Sequence, residues 1–296
     1  MIKRTLFFSN PYHLALKNKQ LEVAEPHGMT MKTIPVEDIG FIVLDHPQIS
    51  FTMKLVEQLN EYNVATVFCD SKHMPSSMLL PLDAHHIQSE LFRAQVAASE
   101  PLKKNLWKQT IEAKVKNQAR LLDKCGKNSL QLRSIAKTIK SGDSDNREGF
   151  AARLYWMALF GKTFIRDRFG EPPNAFLNYG YILLRSAVAR AIAGSGLLAT
   201  LGIHHRNRYN AFCLADDIME PYRPYVDEIA YSLNQKYPGT LVLDKEHKAE
   251  LLGLMAADVK IGENKRPLML ALSQTTASLS RCFSGEQRKI EYPVFE

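Results

Sequence analysis

An α+β chain is predicted, with a small N-terminal β-rich domain over residues 1–80 and a larger all-α domain over 81–296. Three observations carry this. Short apolar and β-branched runs bounded by turn residues fill the first part. Residues 71–83, with Pro75, Pro81 and paired serines, have the composition of a linker. Beyond them apolar residues recur at helical spacing.

Strands are expected at 5–8, 12–16, 21–24, 31–34, 41–44 and 65–68. Lys17-Asn18-Lys19 reads as a hairpin tip, because Asn tolerates the left-handed region. Phe41-Ile42-Val43-Leu44 is apolar without alternation, which suits a strand buried on both faces. Ser50 is the expected cap of a helix running to Glu61, with Phe51, Leu55 and Leu59 on one face. Further helices are expected over 86–98, 145–160, 175–193, 216–230, 247–255 and 267–282. Several of the gaps between them hold glycines, among them Gly142, Gly161, Gly194 and Gly196.

The 296 residues, 45% hydrophobic and 23% charged, exclude a disordered or fibrous chain. Cys69, Cys125, Cys213 and Cys282 lie far apart without a C-x-x-C pair, which argues against a disulfide framework or a cysteine zinc site. No run of about 18 apolar residues and no signal-peptide core is present, so a cytoplasmic protein without a membrane span is expected. The net charge of +7 suits a polyanionic partner. None of that excess lies in residues 1–80, with 7 Lys/Arg against 8 Asp/Glu; residues 101–140 hold 11 Lys/Arg against 2 Asp/Glu. That run is either a solvated helical face or a track of cations for phosphates. With two tryptophans in the chain, base stacking is poorly supported.

Residues 202–224 are the richest in chemistry: His204-His205, then Asp216, Asp217 and Glu220, among Arg206, Arg208 and Arg223. On one helix Asp217 or Asp216 shares a face with Glu220. Carboxylate oxygens suit Mg²⁺, and an imidazole tilts such a site toward Mn²⁺. Arginines beside metal-binding carboxylates fit phosphodiester chemistry, whose transition state gathers negative charge. Glu148 could reach the same ion from a second helix. Capping competes with this reading: Asp216 could be an N-cap, and Asp145 with Glu148 a capping box.

Three motifs resemble a known family. They are Asn146-Arg147-Glu148-Gly149 with Ala151-Ala152 and Tyr155-Trp156; Asn174 with Asn178-Tyr179-Gly180-Tyr181; and Gly202-Ile203-His204-His205 through Asn210-Ala211-Phe212 to Leu214-Ala215-Asp216-Asp217-Ile218-Met219-Glu220-Pro221-Tyr222-Arg223-Pro224. The family is CRISPR-associated protein one, the endonuclease and integrase of spacer acquisition, in the version that accompanies type II systems. The resemblance implies a β-rich N-terminal domain, with dimerisation expected there, and an α-helical catalytic domain. It implies a Mg²⁺ or Mn²⁺ ion held by Glu148, His205 and Glu220, with Asp217 as a supporting acid. It also implies a homodimer, with two such dimers bridged by a dimer of CRISPR-associated protein two and holding double-stranded DNA, both prespacer and repeat. The reaction implied is attack of a 3′-hydroxyl on a phosphodiester at the repeat edge, without a covalent protein intermediate. Arg206 and Arg208 are the expected phosphate contacts on proximity alone. A DNA hydrolase without integration and a non-catalytic DNA-binding subunit are the competing functions.

Overall fold

The computed structural model describes residues 3–26 and 28–296. The chain divides into two compact units, Met1–Ala84 and His85–Glu296. The α+β class and the β-rich start expected from the sequence are what the structure has.

The first unit is built on two sheets. One orders β1 (Arg4–Phe8), β5 (Ile39–Leu44), β7 (Ala65–Cys69) and β8 (Pro75–Leu79) side by side. All six residues of β5 are buried, as its unbroken apolar run requires, and it runs parallel to both neighbours. Parallel neighbours need a crossover, and α1 (Met53–Glu61) lies in the connection from β5 to β7. The other sheet has the order β4 (Thr30–Pro35), β3 (Gln20–Ala24), β2 (His13–Lys17), β6 (Ser50–Phe51). The β2–β3 hairpin closes through Asn18 and Lys19, both at positive φ (50° and 59°), between the paired Lys17 and Gln20. Leu21, Val36, Ile39 and Leu55 are among the residues of this unit's core.

Two expectations are corrected here. Ser50 belongs to a strand, and the cap of α1 is Thr52, whose hydroxyl accepts from the Leu55 amide. The proline- and serine-rich stretch is not wholly a linker, since β8 pairs antiparallel with β7. Pro75 stands at the first position of an edge strand, where a missing N–H is tolerated.

The second unit consists of α2 (Gln88–Ala97), α3 (Glu100–Lys124), α4 (Leu130–Ala136), α5 (Arg147–Phe160), α6 (Asn174–Gly194), α7 (Cys213–Met219), α8 (Arg223–Lys236), α9 (Lys245–Leu252) and α10 (Leu268–Phe283). It is not purely helical: β9 (Asp258–Ile261) pairs antiparallel with β10 (Asn264–Pro267) and with β11 (Pro293–Val294). The basic run forms α3 and α4. Along α3 the residues Trp107, Ile111, Lys114, Gln118 and Leu121 recur in steps of four and three, and all are buried. Asn117 anchors α3, donating to the carbonyls of Pro221 (2.8 Å) and Pro293 (3.0 Å) while its oxygen accepts from the Phe295 amide.

Helix starts also differ from expectation. Asn146, in the left-handed region, caps α5 and accepts from the Gly149 amide. Asp143 accepts from the amides of Arg147 and Glu148, each at 2.9 Å, so neither Asp145 nor Glu148 forms a capping box. A Cβ on Gly149 would lie 2.8 Å from the Asn146 oxygen, so a larger residue there would push the capping side chain aside. The expected 216–230 helix begins at Cys213 and is interrupted by a 3₁₀ turn, Glu220–Tyr222, before α8 resumes, so Asp216 is not an N-cap. No helix among the described residues is long and apolar enough to cross a membrane.

One acid sits deep in this unit. Asp227 on α8 is fully buried and receives the hydroxyls of Tyr155 on α5 (2.7 Å) and Tyr181 on α6 (2.5 Å). Burial pushes its pKa up to about 6, against the two hydroxyl donors and the nearby Arg223 and Arg166, which favour the charged form. Between its ordinary value and about 6 the folded state holds a proton that the unfolded state has lost. The group's contribution to stability is therefore complete at acid pH and is lost as pH rises through about 6. Comparing the wild type with Asp227→Asn by urea unfolding at pH 4 and pH 7, the difference is expected to move about 2 kcal/mol in the variant's favour at the higher pH.

Candidate active site

The loop before α7 is organised by one carboxylate. Asp217 has no exposed surface. Its Oδ2 accepts from the amides of Ile203 (2.7 Å) and His204 (3.0 Å), and its Oδ1 from the amide of His205 (3.2 Å). Oδ1 also lies 2.5 Å from His205 Nδ1. The loop must come this close: a Cβ on Gly202 would fall 2.5 Å from the His205 carbonyl and 2.7 Å from Asp217 Oδ2. Holding Nδ1 leaves Nε2 as the free nitrogen of His205, the arrangement that orients a metal-binding imidazole. The hydrogen bond to Asp217 also raises the His205 pKa above its usual value, more than burial lowers it.

Trp107, buried on α3, sets the ring planes. His204 stacks on it at 4.1 Å with an interplanar angle of 1°, and His205 meets it edge-on at 5.7 Å. Burial lowers the His204 pKa, so the two adjacent histidines differ in character.

Glu148 comes from the first turn of α5 and Glu220 from the 3₁₀ turn after α7. They converge on the ammonium of Lys114, with Nζ 2.5 Å from Glu148 Oε1 and 2.6 Å from Glu220 Oε2. Lys114 is 6% exposed and Glu220 3%. Lys114 donates a hydrogen bond to Glu148 and pairs by charge with Glu220 Oε2, a buried oxygen with no hydrogen-bond partner among the described residues. The other Glu220 oxygen meets Arg223 NH2 at 2.9 Å. Burial pulls the Lys114 pKa down, yet Glu220 and Glu148 hold it above its ordinary value. Burial likewise pushes Glu148 up, and Lys114 outweighs it, leaving the carboxyl low. His205 stands within electrostatic range of both glutamates.

The structure thus brings Glu148 and Glu220 to one ammonium, sets His205 within electrostatic range of both, and puts Asp217 behind His205, away from solvent. Among the described residues no three His, Cys, Asp or Glu side chains form a group that could hold a metal ion. The oxygens facing the centre are taken by Lys114, a residue read in the sequence only as one cation of the basic run. Its position in the buried stripe of α3 was the available signal. Asp216 is turned elsewhere, to Arg185 (2.8 Å) and Asn210 (2.6 Å). Arg206 and Arg208 line a cleft of about 450 Å³ beside His205, together with Lys103, Asn207 and Asn210. Arg206 pairs with Glu100 at 2.7 Å, and Arg208 lies over the ring of the exposed Tyr209. Within the second motif, Asn174 and Asn178 hold the loop before α6, both accepting from Arg166.

The profile of the family described as CRISPR associated protein Cas1 matches residues 6–240. A CRISPR-associated endonuclease Cas1 from Neisseria meningitidis serogroup C is 39% identical over 229 residues, 77% of this chain and 74% of that one. Among solved structures, a casposase bound to its integration product superposes with a TM-score of 0.81 at 20% identity, covering 99% of this chain and 94% of that one. A chain of a Cas6-RT-Cas1–Cas2 complex superposes with a TM-score of 0.71 at 17% identity, covering 98% of this chain and 36% of that one. A profile match over most of its length and a relative of this identity establish that the chain belongs to the Cas1 family.

Proposed function

We propose that the protein is an endonuclease and integrase of CRISPR adaptation, joining short DNA fragments to the repeat by metal-dependent transesterification. The observation that carries this is the meeting of Glu148 and Glu220 at one ammonium, with His205 within electrostatic range of both glutamates. The donor set fits Mg²⁺ or Mn²⁺: two carboxylates, one imidazole, and a buried Glu220 oxygen without a hydrogen bond. Bound there, such an ion would lower the pKa of an attacking hydroxyl and offset the charge of a pentavalent phosphorus. Asp217 keeps the imidazole oriented with Nε2 free. Arg223 holds the second Glu220 oxygen and so fixes the carboxylate's plane. In the adjacent cleft Lys103, Arg206 and Arg208 supply positive charge for DNA phosphates, Arg206 after leaving Glu100.

Double-stranded DNA is the proposed substrate. A homodimer is the proposed working form, two of them bridged by a dimer of CRISPR-associated protein two. The casposase with its integration product and the Cas1–Cas2 assembly, both of this fold, support that reading.

Glu148→Gln is expected to lower strand joining by more than about 100-fold while changing DNA affinity by less than about threefold, since it removes charge from the reacting site and not from the cleft. A gel assay with a repeat-bearing plasmid, a free-ended duplex, Mn²⁺ and the small partner reads the first, and fluorescence anisotropy the second. Joined, branched products support integration, and cleavage alone overturns it in favour of hydrolysis. Asp217→Asn keeps the size of the side chain but turns one of its two acceptors into a donor, so it loosens the hold on His205. A loss of about 10- to 100-fold in joining is expected, with a changed imidazole tautomer in ¹⁵N spectra. Unchanged joining would remove Asp217 from the mechanism.

A further inference from the structure

We propose that Lys114 is the resident counter-ion of the site and exchanges with the divalent cation instead of sharing the site with it. The inference rests on Glu148, His205 and Glu220 being the ion's ligands.

The Lys114 ammonium touches one oxygen of each glutamate, at 2.5 and 2.6 Å. A dication bonded to those oxygens and an ammonium held by them draw on the same lone pairs, and two cations at such range repel strongly where water is scarce. The charge balance points the same way. Counting Glu148, Glu220 and Asp217 against Lys114 and Arg223, the site carries one formal negative charge with no ion present and His205 neutral. Two further positive charges leave an excess that expulsion of one cation reduces.

Lys114 is the cation that can leave. Arg223 is fixed on several sides: it grips Glu220 Oε1 at 2.9 Å, lies 4.7 Å from the Tyr181 ring centroid, and feels the charges of Asp216 and Asp227. Among the described residues the Lys114 ammonium pairs with the two glutamates alone, and it has a flexible four-carbon stem on which it can withdraw. The lysine therefore fills the position closely between the two glutamates, yet on its flexible stem it can yield to a dication.

The exchange predicts that removing the ammonium tightens ion binding. In calorimetric titrations of the full chain with MnCl₂, Lys114→Met, which keeps much of the stem, is expected to bind Mn²⁺ at least about tenfold more tightly than the wild type. In EDTA the variant should melt below the wild type, and saturating Mn²⁺ should restore the loss. Equal or weaker Mn²⁺ binding by the folded variant overturns the proposal. Glu220→Gln separates this from failure of the ligand reading. If it abolishes Mn²⁺ binding while Lys114→Met gains nothing, the ligands stand and the exchange fails. If it titrates like the wild type, the ligand reading fails and the exchange with it. Should Lys114→Met not fold, lysine-selective ¹⁵N spectra of the wild type under Mg²⁺ titration decide the matter. The sheltered Lys114 ammonium signal, assigned with Lys114→Arg, should shift or vanish at saturation, and an unchanged signal overturns the proposal.

Discussion

An ionised carboxylate taken out of water costs several kcal/mol unless a cation accompanies it. The helical unit buries Glu220 almost completely and Glu148 in large part, and a single ammonium answers both. Much of the surrounding architecture follows from that requirement. Helix α3 must pass close enough to deliver Lys114, and Asn117, one turn further on, ties it to the carbonyl of Pro221 next to Glu220. The 3₁₀ turn breaks the run from α7 to α8 where Glu220 has to face α3. The first turn of α5 is held by Asp143 and Asn146, which aim Glu148 at the same point.

Asp217 does comparable work for the imidazole. Four donors end on its two oxygens, three from the backbone of one loop and one from the ring it orients. The loop's path and the histidine's aim thus depend on the same buried group, and Gly202 is required because that group and the backbone crowd it. The Asp227 cluster is a second buried acid solved differently, by two tyrosine hydroxyls in place of a close cation. The two centres meet at Arg223, which touches Glu220 and lies over the ring of Tyr181.

Elements with one dominant physical signal were legible in the sequence. The unbroken apolar run of β5 and the Asn-bearing hairpin tip emerge as expected, and so do α2, α5, α6 and α10 to within a few residues, whereas α3 and α4 were not among the expected helices. Elements stabilised by partners remote in sequence were not. β8 and β10 are edge strands of Pro-Ser-Ser and Asn-Lys-Arg composition, whose pairing is decided by β7 and β9 and not by local preference. The start of α7 is hidden because Cys213, Leu214 and Ala215 are helical by burial, three residues before the acid that resembles a cap. In the site, the residue types and spacing around Glu148, His205 and Glu220 were conspicuous. Lys114 was not, since a lysine within a basic run looks like surface until the 4-3-4-3 burial stripe of α3 is traced through it.

The stacking of His204 on Trp107 has a further consequence. The chain has two tryptophans, and the buried one lies flat against one imidazole and edge-on to the other. Trp107 is therefore an optical gauge built into the wall of the site. Contact with an imidazole alters indole emission, so rearrangement at His205 carries its own spectroscopic label once the second tryptophan, Trp156, is replaced.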